Sequence, residues 1–437
     1  MKTLMITAPS SNSGKTTITL GIIRALKNRN IDVSAFKTGP DFIDTKYLEL
    51  ASRKSAGNLD MHLMGRDGIF RALDMNRGEV GVIEGAMGYF DGIYNTFENS
   101  SYDISRSLNT PAVLVYTPRG EMFSAIPKIK GMVEFEGSMI KGVILNKTSK
   151  TMYKLLKEKI EEYIDVQVIG YIENDERLKI ESRSLGLISP EEKSDYEGLI
   201  DYASKKVEET IDIEQMISMM NEIKVDCFNY SVKRDIKVAL ALDPAFNFYF
   251  NENLKLLENM CEVRYFSPLR DKEVPDCDLI YIGGGYPELY GMELSENKSM
   301  LESISYQAQN GKHILAEAGG FMYLTSSIEK HPMTDVFKAK AYMTDRLQRF
   351  GYVEIQFNED TILGKSGTKI KGNEYHRSVI DIDETPIFNI KKPKSSRSWK
   401  CGYKYKNTLA YYQHINFLGN IKMLDYLLDD IETKRKE

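Results

Sequence analysis

The sequence predicts an α/β protein of two domains, the first of which is a doubly wound, largely parallel sheet. Strand-like and helix-like patterns alternate along the 437 residues, and such alternation is typical of parallel sheets covered by helices. The periodicity lapses near residues 226–235, so we place one domain at 1–228 and another at 234–437. The strands predicted for the first domain are Thr3–Thr7, Val33–Lys37, Val80–Glu84, Ala112–Tyr116, Gly142–Leu145 and Val166–Tyr171.

The second domain repeats this alternation and is therefore predicted to be α/β as well. An amphipathic helix over Val207–Ile223 is predicted to close the first domain. Helical patterns over Phe246–Asn259 and Met292–Gln309 lie between the strands of the second domain. Those strands are predicted at Lys237–Leu242, Glu262–Phe266, Leu279–Ile282 and His313–Ala316.

A phosphate-binding loop follows the first predicted strand. Residues 9–17 read Pro-Ser-Ser-Asn-Ser-Gly-Lys-Thr-Thr and match G-x-x-x-x-G-K-[ST], except that Pro9 stands at the first glycine. The loop lies between a strand and a helix, as this motif requires, and its N–H groups, lysine and threonine would bind phosphates and Mg²⁺. A serine-rich turn that only caps the helix is the alternative interpretation. The residues predicted to bind a nucleoside triphosphate are Ser13, Gly14, Lys15, Thr16 and Thr17.

Acidic, glycine-containing segments follow the second and third strands, at residues 37–44 and 82–92. The carboxyl ends of strands in an open α/β sheet are where ligands bind. We therefore predict that Thr16, Glu84 and either Asp41 or Asp44 serve a metal or the substrate; ordinary acidic loops are the alternative. Asn146 ends a later strand, where it either contacts a nucleotide base or simply terminates the strand.

Two segments of the second domain have the pattern of an acyl-transfer site. The triplet Gly283–Gly285 follows a strand and can turn backbone N–H groups toward an oxyanion. Residues 314–322 predict a strand, a sharp turn and a helix, which is the geometry of a nucleophile elbow. The residue at the apex is Ala318, which offers no nucleophile. His414 follows a short strand, and taken alone it is better interpreted as a structural histidine.

The composition argues against several classes of function. The formal net charge is −5, so no overall basic field attracts nucleic acid or a membrane surface. The apolar runs are only strand-sized, and we expect neither a membrane span nor a signal peptide. The cysteines lack C-x-x-C spacing, which predicts a cytoplasmic protein without a structural zinc site. They are Cys227, Cys261, Cys277 and Cys401.

Together, and in this order, these segments resemble the cobyrinate a,c-diamide synthase family. The family joins a dethiobiotin-synthetase-like ATP domain to a triad-type class I glutamine amidotransferase domain, and the resemblance extends over residues 8–417. Besides the phosphate loop, the matching segments are Gly39–Asp44, Asn58–Asp60, Glu84–Gly88, Asp243–Tyr249, Phe266–Leu269, Gly284–Glu288 and Gly372–Ser378.

The resemblance implies a reaction in two parts. With Mg²⁺, ATP phosphorylates the a and c side-chain carboxylates of cobyrinate, and ammonia displaces the phosphate to give amides in cobalamin biosynthesis. Lys15, Asp41 and Asp44 are the implied catalytic residues of the first domain. In the second domain a cysteine, activated by His414, would release ammonia from glutamine. The implied oxyanion and glutamine pocket is formed by Gly284, Gly285 and Gly319.

Three positions depart from the family pattern. Ala318 occupies the place of the nucleophilic cysteine, Asn416 replaces a frequent second histidine, and Ser184 replaces a usual histidine. Because alanine cannot form a thioester, the sequence predicts no glutaminase activity and the use of free ammonia. Ala318 is either an engineered change, a natural feature of an ammonia-dependent synthetase, or the mark of a paralogue whose second domain is structural.

Two other functions stay open. The same chemistry could act on another tetrapyrrole such as nickel-sirohydrochlorin, or the chain could bind nucleotide and glutamine without catalysis. The expected partners are a tetrapyrrole diacid and ammonia or glutamine, with neither nucleic acid nor membrane. A homodimer and the order of the two amidations are left open by the sequence.

Overall fold

A computed structural model describes residues 1–183, 186–187, 196–228 and 232–436. The chain divides into two compact units, and each is described by itself. The first contains residues 1–61 and 65–228, and the second contains residues 62–64 and 229–437. Ser184, one of the departures from the family pattern, lies outside the described residues.

The first unit is built on an eight-stranded sheet. Its strands are β1 (Lys2–Thr7), β2 (Val33–Thr38), β3 (Gly57–Leu59), β4 (Val80–Glu84), β5 (Ala112–Tyr116), β6 (Ile140–Asn146), β7 (Gln167–Ile172) and β10 (Asn221–Glu222). A separate two-stranded ladder consists of β8 (Ser182–Arg183) and β9 (Gly186–Leu187). The order is β3-β2-β4-β1-β5-β6-β7, all neighbours being parallel, with β10 antiparallel to β1. The predicted parallel α/β sheet is confirmed.

Helices connect these strands. They are α1 (Lys15–Asn28), α2 (Asp44–Ser52), α3 (Met61–Met75), α4 (Ser101–Ser107), α5 (Ala125–Glu134), α6 (Lys150–Tyr163), α7 (Tyr196–Thr210) and α8 (Ile213–Ser218). The apolar face of α1 is buried as its periodicity predicts, with Ile18, Ile22, Ile23 and Leu26 at 3% exposure or less. This burial fixes the helix that begins directly after the phosphate-binding loop.

The prediction of one continuous helix over Val207–Ile223 is wrong. The structure has α7, which ends at Thr210, and a separate short helix, α8. Asp212 starts α8 as its N-cap, since its side chain accepts a hydrogen bond from the backbone N–H of Gln215. The capping aspartate therefore begins a second helix where the apolar spacing suggested one continuous helix, and the chain enters β10 after α8.

The second unit has a parallel sheet and two smaller sheets. Its strands are β11 (Lys237–Ala241), β12 (Glu262–Phe266), β13 (Leu279–Ile282), β14 (His313–Glu317), β15 (Thr325–Ile328), β16 (His331–Pro332), β17 (Phe337–Met343), β18 (Arg349–Phe357), β19 (Lys369–His376), β20 (Ser378–Ile382), β21 (Phe388–Lys391), β22 (Ser398–Cys401), β23 (Tyr403–Tyr405) and β24 (Thr408–Tyr411). The main order is β12-β11-β13-β14-β24-β23, parallel except for β23. The smaller sheets are β16-β15-β17-β20 and β19-β18-β21-β22.

Helices of the second unit depart from two predictions. They are α9 (Asn251–Met260), α10 (Gly291–Glu296), α11 (Lys298–Gln309), α12 (Gly319–Tyr323) and α13 (Ile421–Lys434). The predicted helix over Met292–Gln309 is broken at Asn297, whose side-chain amide donates to the carbonyls of Pro268 and Asp271 at 2.8 and 2.7 Å. The helix predicted from Phe246 begins later, because Asp243 and Phe246 form a turn with reciprocal backbone hydrogen bonds.

Arg24 is a buried cation that ties α1 to its neighbours. Its side chain is 1% exposed and donates to the carbonyl oxygens of Ala51 at 3.1 Å and Leu50 at 2.7 Å. The same guanidinium pairs with Glu197 at 2.8 Å and with Asp201. Without Arg24 the two carbonyl groups would lose these hydrogen bonds. Both acids, in contrast, are about half exposed and would stay hydrated.

We predict that Arg24→Met lowers the free energy of unfolding of the first unit by about 2–3 kcal/mol, because it removes the donors of two carbonyl groups. Arg29→Met on the same helix is the matched control: Arg29 is 35% exposed, and its loss should cost at most about 1 kcal/mol. Native-state hydrogen exchange of the α1 amides measures both values. Equal losses for the two variants would contradict the prediction.

Candidate functional site

The phosphate-binding loop is held by Asn146 at the end of β6. The Asn146 amide donates to the carbonyl of Ser13 at 2.8 Å. Gly14 has φ of 81°, and a Cβ on it would lie 2.3 Å from the Asn146 amide nitrogen, so only glycine fits there. Asn146 therefore supports the loop, a role that the sequence did not predict. Its contact with a nucleotide base stays a prediction.

Thr16 and Glu84 meet where the loop enters α1. The Thr16 hydroxyl donates to Glu84 Oε1 at 2.6 Å. Lys15 directly precedes Thr16, and its Nζ donates to the carbonyl oxygen of Met87 at 2.7 Å. Burial, and next the charge of Lys37, lower the pKa of Lys15 to about 8. The predicted residues Lys15, Thr16 and Glu84 thus lie together at one edge of the sheet.

Lys37, at the end of β2, completes the cluster and was not predicted as a site residue. Its ammonium group lies 2.9 Å from Glu84 Oε1 and 2.5 Å from Asp44 Oδ2. Burial alone would lower the pKa of Lys37, but Asp44 and Glu84 outweigh it and raise the pKa above its usual range. The sequence signal was a lysine inside an apolar strand directly before the acidic segment.

The two candidate acids of the 37–44 segment have different surroundings. Asp44 contacts Lys37, whereas Asp41 Oδ1 accepts the backbone N–H groups of Ile43 at 2.9 Å and Asp44 at 2.8 Å. Asp41 therefore stabilises the start of α2. Burial and the neighbouring charge of Asp44 raise the pKa of Asp41 to about 6. The predicted metal role of Asp41 stays a prediction.

The residues present fit a magnesium ion that is shared with phosphates. Glu84 Oε2 is fully buried and has no hydrogen-bond partner within the described part of the chain. In the same ranges no group of three or more His, Cys, Asp and Glu side chains is arranged to hold a metal alone. Because Mg²⁺ usually takes one or two carboxylates, phosphate oxygens and water, Thr16 and Glu84 suit an ion that arrives with a nucleotide.

A cavity of about 370 Å³ opens beside the loop. Thr17 helps to form its wall, because the Thr17 hydroxyl donates to the carbonyl of Leu178 at 3.0 Å. The size suits part of a nucleoside. The lining residues are Asn12 to Ile18, Asn146, Lys147, Ile172 to Glu176 and Leu178 to Ile180.

The second unit contains the predicted elbow at Ala318. β14 ends at Glu317, Ala318 has φ 46° and ψ −104°, and α12 starts at the next residue. Such a backbone conformation is strained for a residue with a Cβ. The turn is held by hydrogen bonds from Ala318 N to the carbonyl of Tyr411 at 2.8 Å and from Gly320 N to that of Gly283 at 2.9 Å. The elbow geometry is therefore present without a nucleophile.

The predicted pocket glycines gather around this elbow with His414. A Cβ on Gly284 would lie 2.4 Å from His414 Cε1, and one on Gly319 would lie 3.1 Å from the backbone nitrogen of Gly285. A Cβ on Gly285 would come within 2.1 Å of the carbonyl oxygen of Ala245. Close approach of backbone and ring thus requires glycine at these positions. Their role in binding an oxyanion or glutamine stays a prediction.

His414 is buried and anchored through its backbone. Its N–H donates to the carbonyl of Asn373 at 2.8 Å, and its own carbonyl accepts from Asn373 N at 3.1 Å. Its ring nitrogen Nδ1 lies 3.5 Å from Glu317 Oε2. Glu317 is a second residue that the sequence did not single out, although it directly precedes the elbow.

Both units match known domain families. Residues 4–188 match the CobQ/CobB/MinD/ParA nucleotide binding domain, and residues 237–421 match the CobB/CobQ-like glutamine amidotransferase domain. The predicted fold class is confirmed for both domains.

The similarity to known proteins extends over nearly the whole chain. A protein of Clostridium tetani named cobyrinate a,c-diamide synthase is 41% identical and covers 98% of this chain and 100% of its own. Proteins of the same name from Clostridium acetobutylicum and Methanobrevibacter smithii are 40% and 37% identical and cover 98% and 96% of this chain. The chain belongs to the cobyrinate a,c-diamide synthase family. In the described residues, no helix has both the length and the apolarity needed to cross a membrane.

We predict that nucleotide binding takes up a proton at pH 9 and not at pH 7. The Lys15 pKa of about 8 leaves its amine mostly neutral at pH 9, and phosphate favours the charged form, so affinity should fall as pH rises from 7 to 9. Calorimetry of ATP binding in two buffers of different ionisation enthalpy measures the uptake. Lys15→Met should abolish the uptake and most of the affinity; affinity that rises with pH would contradict the prediction.

We also predict that Ala318→Gly stabilises the second unit by about 1 kcal/mol, because glycine relieves the strain at positive φ. Ala316→Gly, two residues earlier in β14, is the control and should destabilise by about 1 kcal/mol. Trp399, the single tryptophan of the chain, lies in this unit. Thermal unfolding followed by its fluorescence should shift in opposite directions for the two variants; a shift downward in both would refute the strain argument.

Proposed function

We propose that the chain is an ATP-dependent amide synthase that acts on the a and c carboxylates of cobyrinate in cobalamin biosynthesis. Residues 1–228 form the synthetase domain and residues 234–437 an amidotransferase-like domain. One observation carries the proposal: Lys15, Thr16, Lys37 and Glu84 converge at the phosphate-binding loop. They do so in a chain that aligns over 98% of its length with relatives named cobyrinate a,c-diamide synthase.

The first domain would transfer the γ-phosphoryl group of ATP to a substrate carboxylate. Lys15 and Lys37 place two ammonium groups near the phosphate-binding loop, where they would stabilise negative charge on the transferring group. Asp44 and Glu84 hold Lys37 in place and keep it protonated. Bound Mg²⁺, held by Thr16 and Glu84, would neutralise phosphate charge.

The acyl phosphate would then react with ammonia. The nitrogen lone pair attacks the acyl carbon, the C–O bond to phosphate breaks, and phosphate leaves while the nitrogen loses a proton. In a glutamine amidotransferase a cysteine thiolate attacks the side-chain amide of glutamine, which releases this ammonia and leaves the glutamyl group on the cysteine as a thioester. Ala318 carries no thiol, so we propose that the chain uses free ammonia. A nucleotide- and glutamine-binding protein without turnover is the second candidate, and Ala318 is the observation that favours it.

The test supplies cobyrinic acid and Mg·ATP with ammonium or glutamine as the sole nitrogen source. We predict diamide formation and ATP hydrolysis with ammonium, and no product above background with glutamine. Glu84→Gln should lower the ammonium-dependent rate by about 100-fold or more, since it removes a charge near the phosphates. Glu79→Gln, at an exposed position directly before β4, is the matched control and should leave the rate unchanged.

Product formed from glutamine would contradict the proposed nitrogen source. Binding of ATP without turnover on either nitrogen source would favour the second candidate. Turnover on nickel-sirohydrochlorin in place of cobyrinic acid would keep the chemistry and correct the substrate.

A further inference from the structure

Glu317 is a buried carboxylate at the base of the elbow. Its side chain is 2% exposed, and a carboxylate in such a place requires polar partners. Two tyrosine hydroxyls supply them: Tyr281 donates to Oε2 at 3.2 Å and Tyr411 donates to Oε1 at 3.3 Å. Both tyrosines are fully buried, and the carboxylate is fixed by strands on either side of β14.

The same carboxylate faces His414. Glu317 Oε2 lies 3.5 Å from His414 Nδ1, which is longer than a hydrogen bond but within ion-pair distance. Contacts of this kind often shorten when a ligand fills a site. The Cε1–Nε2 edge of the ring faces Gly284, where an added Cβ would lie 2.4 Å from Cε1 and 3.1 Å from Nε2. The ring is therefore placed between Glu317 and the pocket glycines.

Asn416 caps a helical turn and does not supply a charge to His414. Its Oδ1 accepts the backbone N–H of Leu418 at 2.9 Å and so starts a turn of 3₁₀ helix over Phe417–Gly419. Asn416 is uncharged and is engaged in this cap, although it stands two positions after His414. The carboxylate that contacts the histidine ring comes instead from the strand that carries the elbow.

We infer that Glu317 is the positioning residue of His414. Its Oε2 accepts Nδ1–H and thereby directs Nε2, as a proton acceptor, toward the elbow and the pocket glycines. A buried carboxylate behind a histidine fixes the tautomer and stabilises the imidazolium during acyl transfer. The inference rests on the amidotransferase-like domain alone, and it requires neither the tetrapyrrole nor ATP.

The first test reads the tautomer of His414 in the unaltered chain. The chain has five histidines, so ¹⁵N-histidine NMR is tractable, and the His414 signals are assigned by their loss in His414→Gln. We expect the Nδ1–H tautomer. It should persist in Glu317→Gln, which keeps an oxygen acceptor, and be replaced by a tautomer mixture in Glu317→Leu. Asn416→Ala is the control and should keep the tautomer.

The second test measures glutamine hydrolysis in the Ala318→Cys background, without tetrapyrrole or ATP. Adding Glu317→Leu should lower kcat by about 10²–10⁴-fold with KM within about threefold, and Glu317→Gln should lose less. Asn416→Ala should stay within about threefold of the background, since a lost cap affects stability rather than chemistry.

An Nε2–H tautomer in the unaltered chain would overturn the inference, and so would an unchanged tautomer in Glu317→Leu. Loss of kcat in Asn416→Ala but not in Glu317→Leu would assign the role to position 416. If Glu317→Leu does not fold, the tautomer of His414 in the unaltered chain is by itself the test of the inference. If Ala318→Cys hydrolyses no glutamine, the His414 tautomer is again the test of the inference. Failure of cobyrinate amidation would leave both readouts unaffected.

Discussion

The buried carboxylate of Glu84 is the constraint on which the first site depends. A carboxylate with no exposure must be offset by hydrogen bonds and opposite charge. Thr16, at the start of α1, donates a hydrogen bond to Glu84 Oε1, and Lys37, at the end of β2, supplies a positive charge at the same oxygen. One buried charge therefore joins β2, β4 and the start of α1, and together with the contact of Asn146 with Ser13 it fixes the position of the phosphate-binding loop.

The parts of this site that could be predicted are those with a local signal. The glycine, lysine and threonines of the loop are consecutive, and Glu84 is the last residue of an otherwise apolar strand. Lys37 had a local signal as a lysine in an apolar strand, but that signal did not reveal its partner, which is 47 residues away. It meets Glu84 because β2 and β4 are parallel neighbours with these two residues in register. Strand order and register are set by the whole sheet, so a single strand does not reveal them.

The second unit shows the same division between local and distant signals. The elbow was predicted from small residues around Ala318. The two four-stranded sheets were not, since β17 pairs with β20 and β18 pairs with β21 across more than 30 residues of chain. The unbroken helix over Met292–Gln309 failed because Asn297 uses its amide for two distant carbonyls. Such a partner competes with helix continuation and is invisible in the helical periodicity.

The retained strain at Ala318 indicates what fixes the elbow. Strained backbone persists only when its surroundings over-determine it, and here no nucleophile gains from the conformation. The surroundings are the hydrogen bond from Ala318 N to Tyr411 and the contact of Gly320 with Ile282, whose carbonyl oxygen would lie 2.2 Å from an added Cβ. The partner atoms in these contacts are backbone carbonyl oxygens at the ends of β13 and β24. The geometry of the elbow is therefore a property of the sheet, whereas its chemistry is decided by the single side chain at position 318.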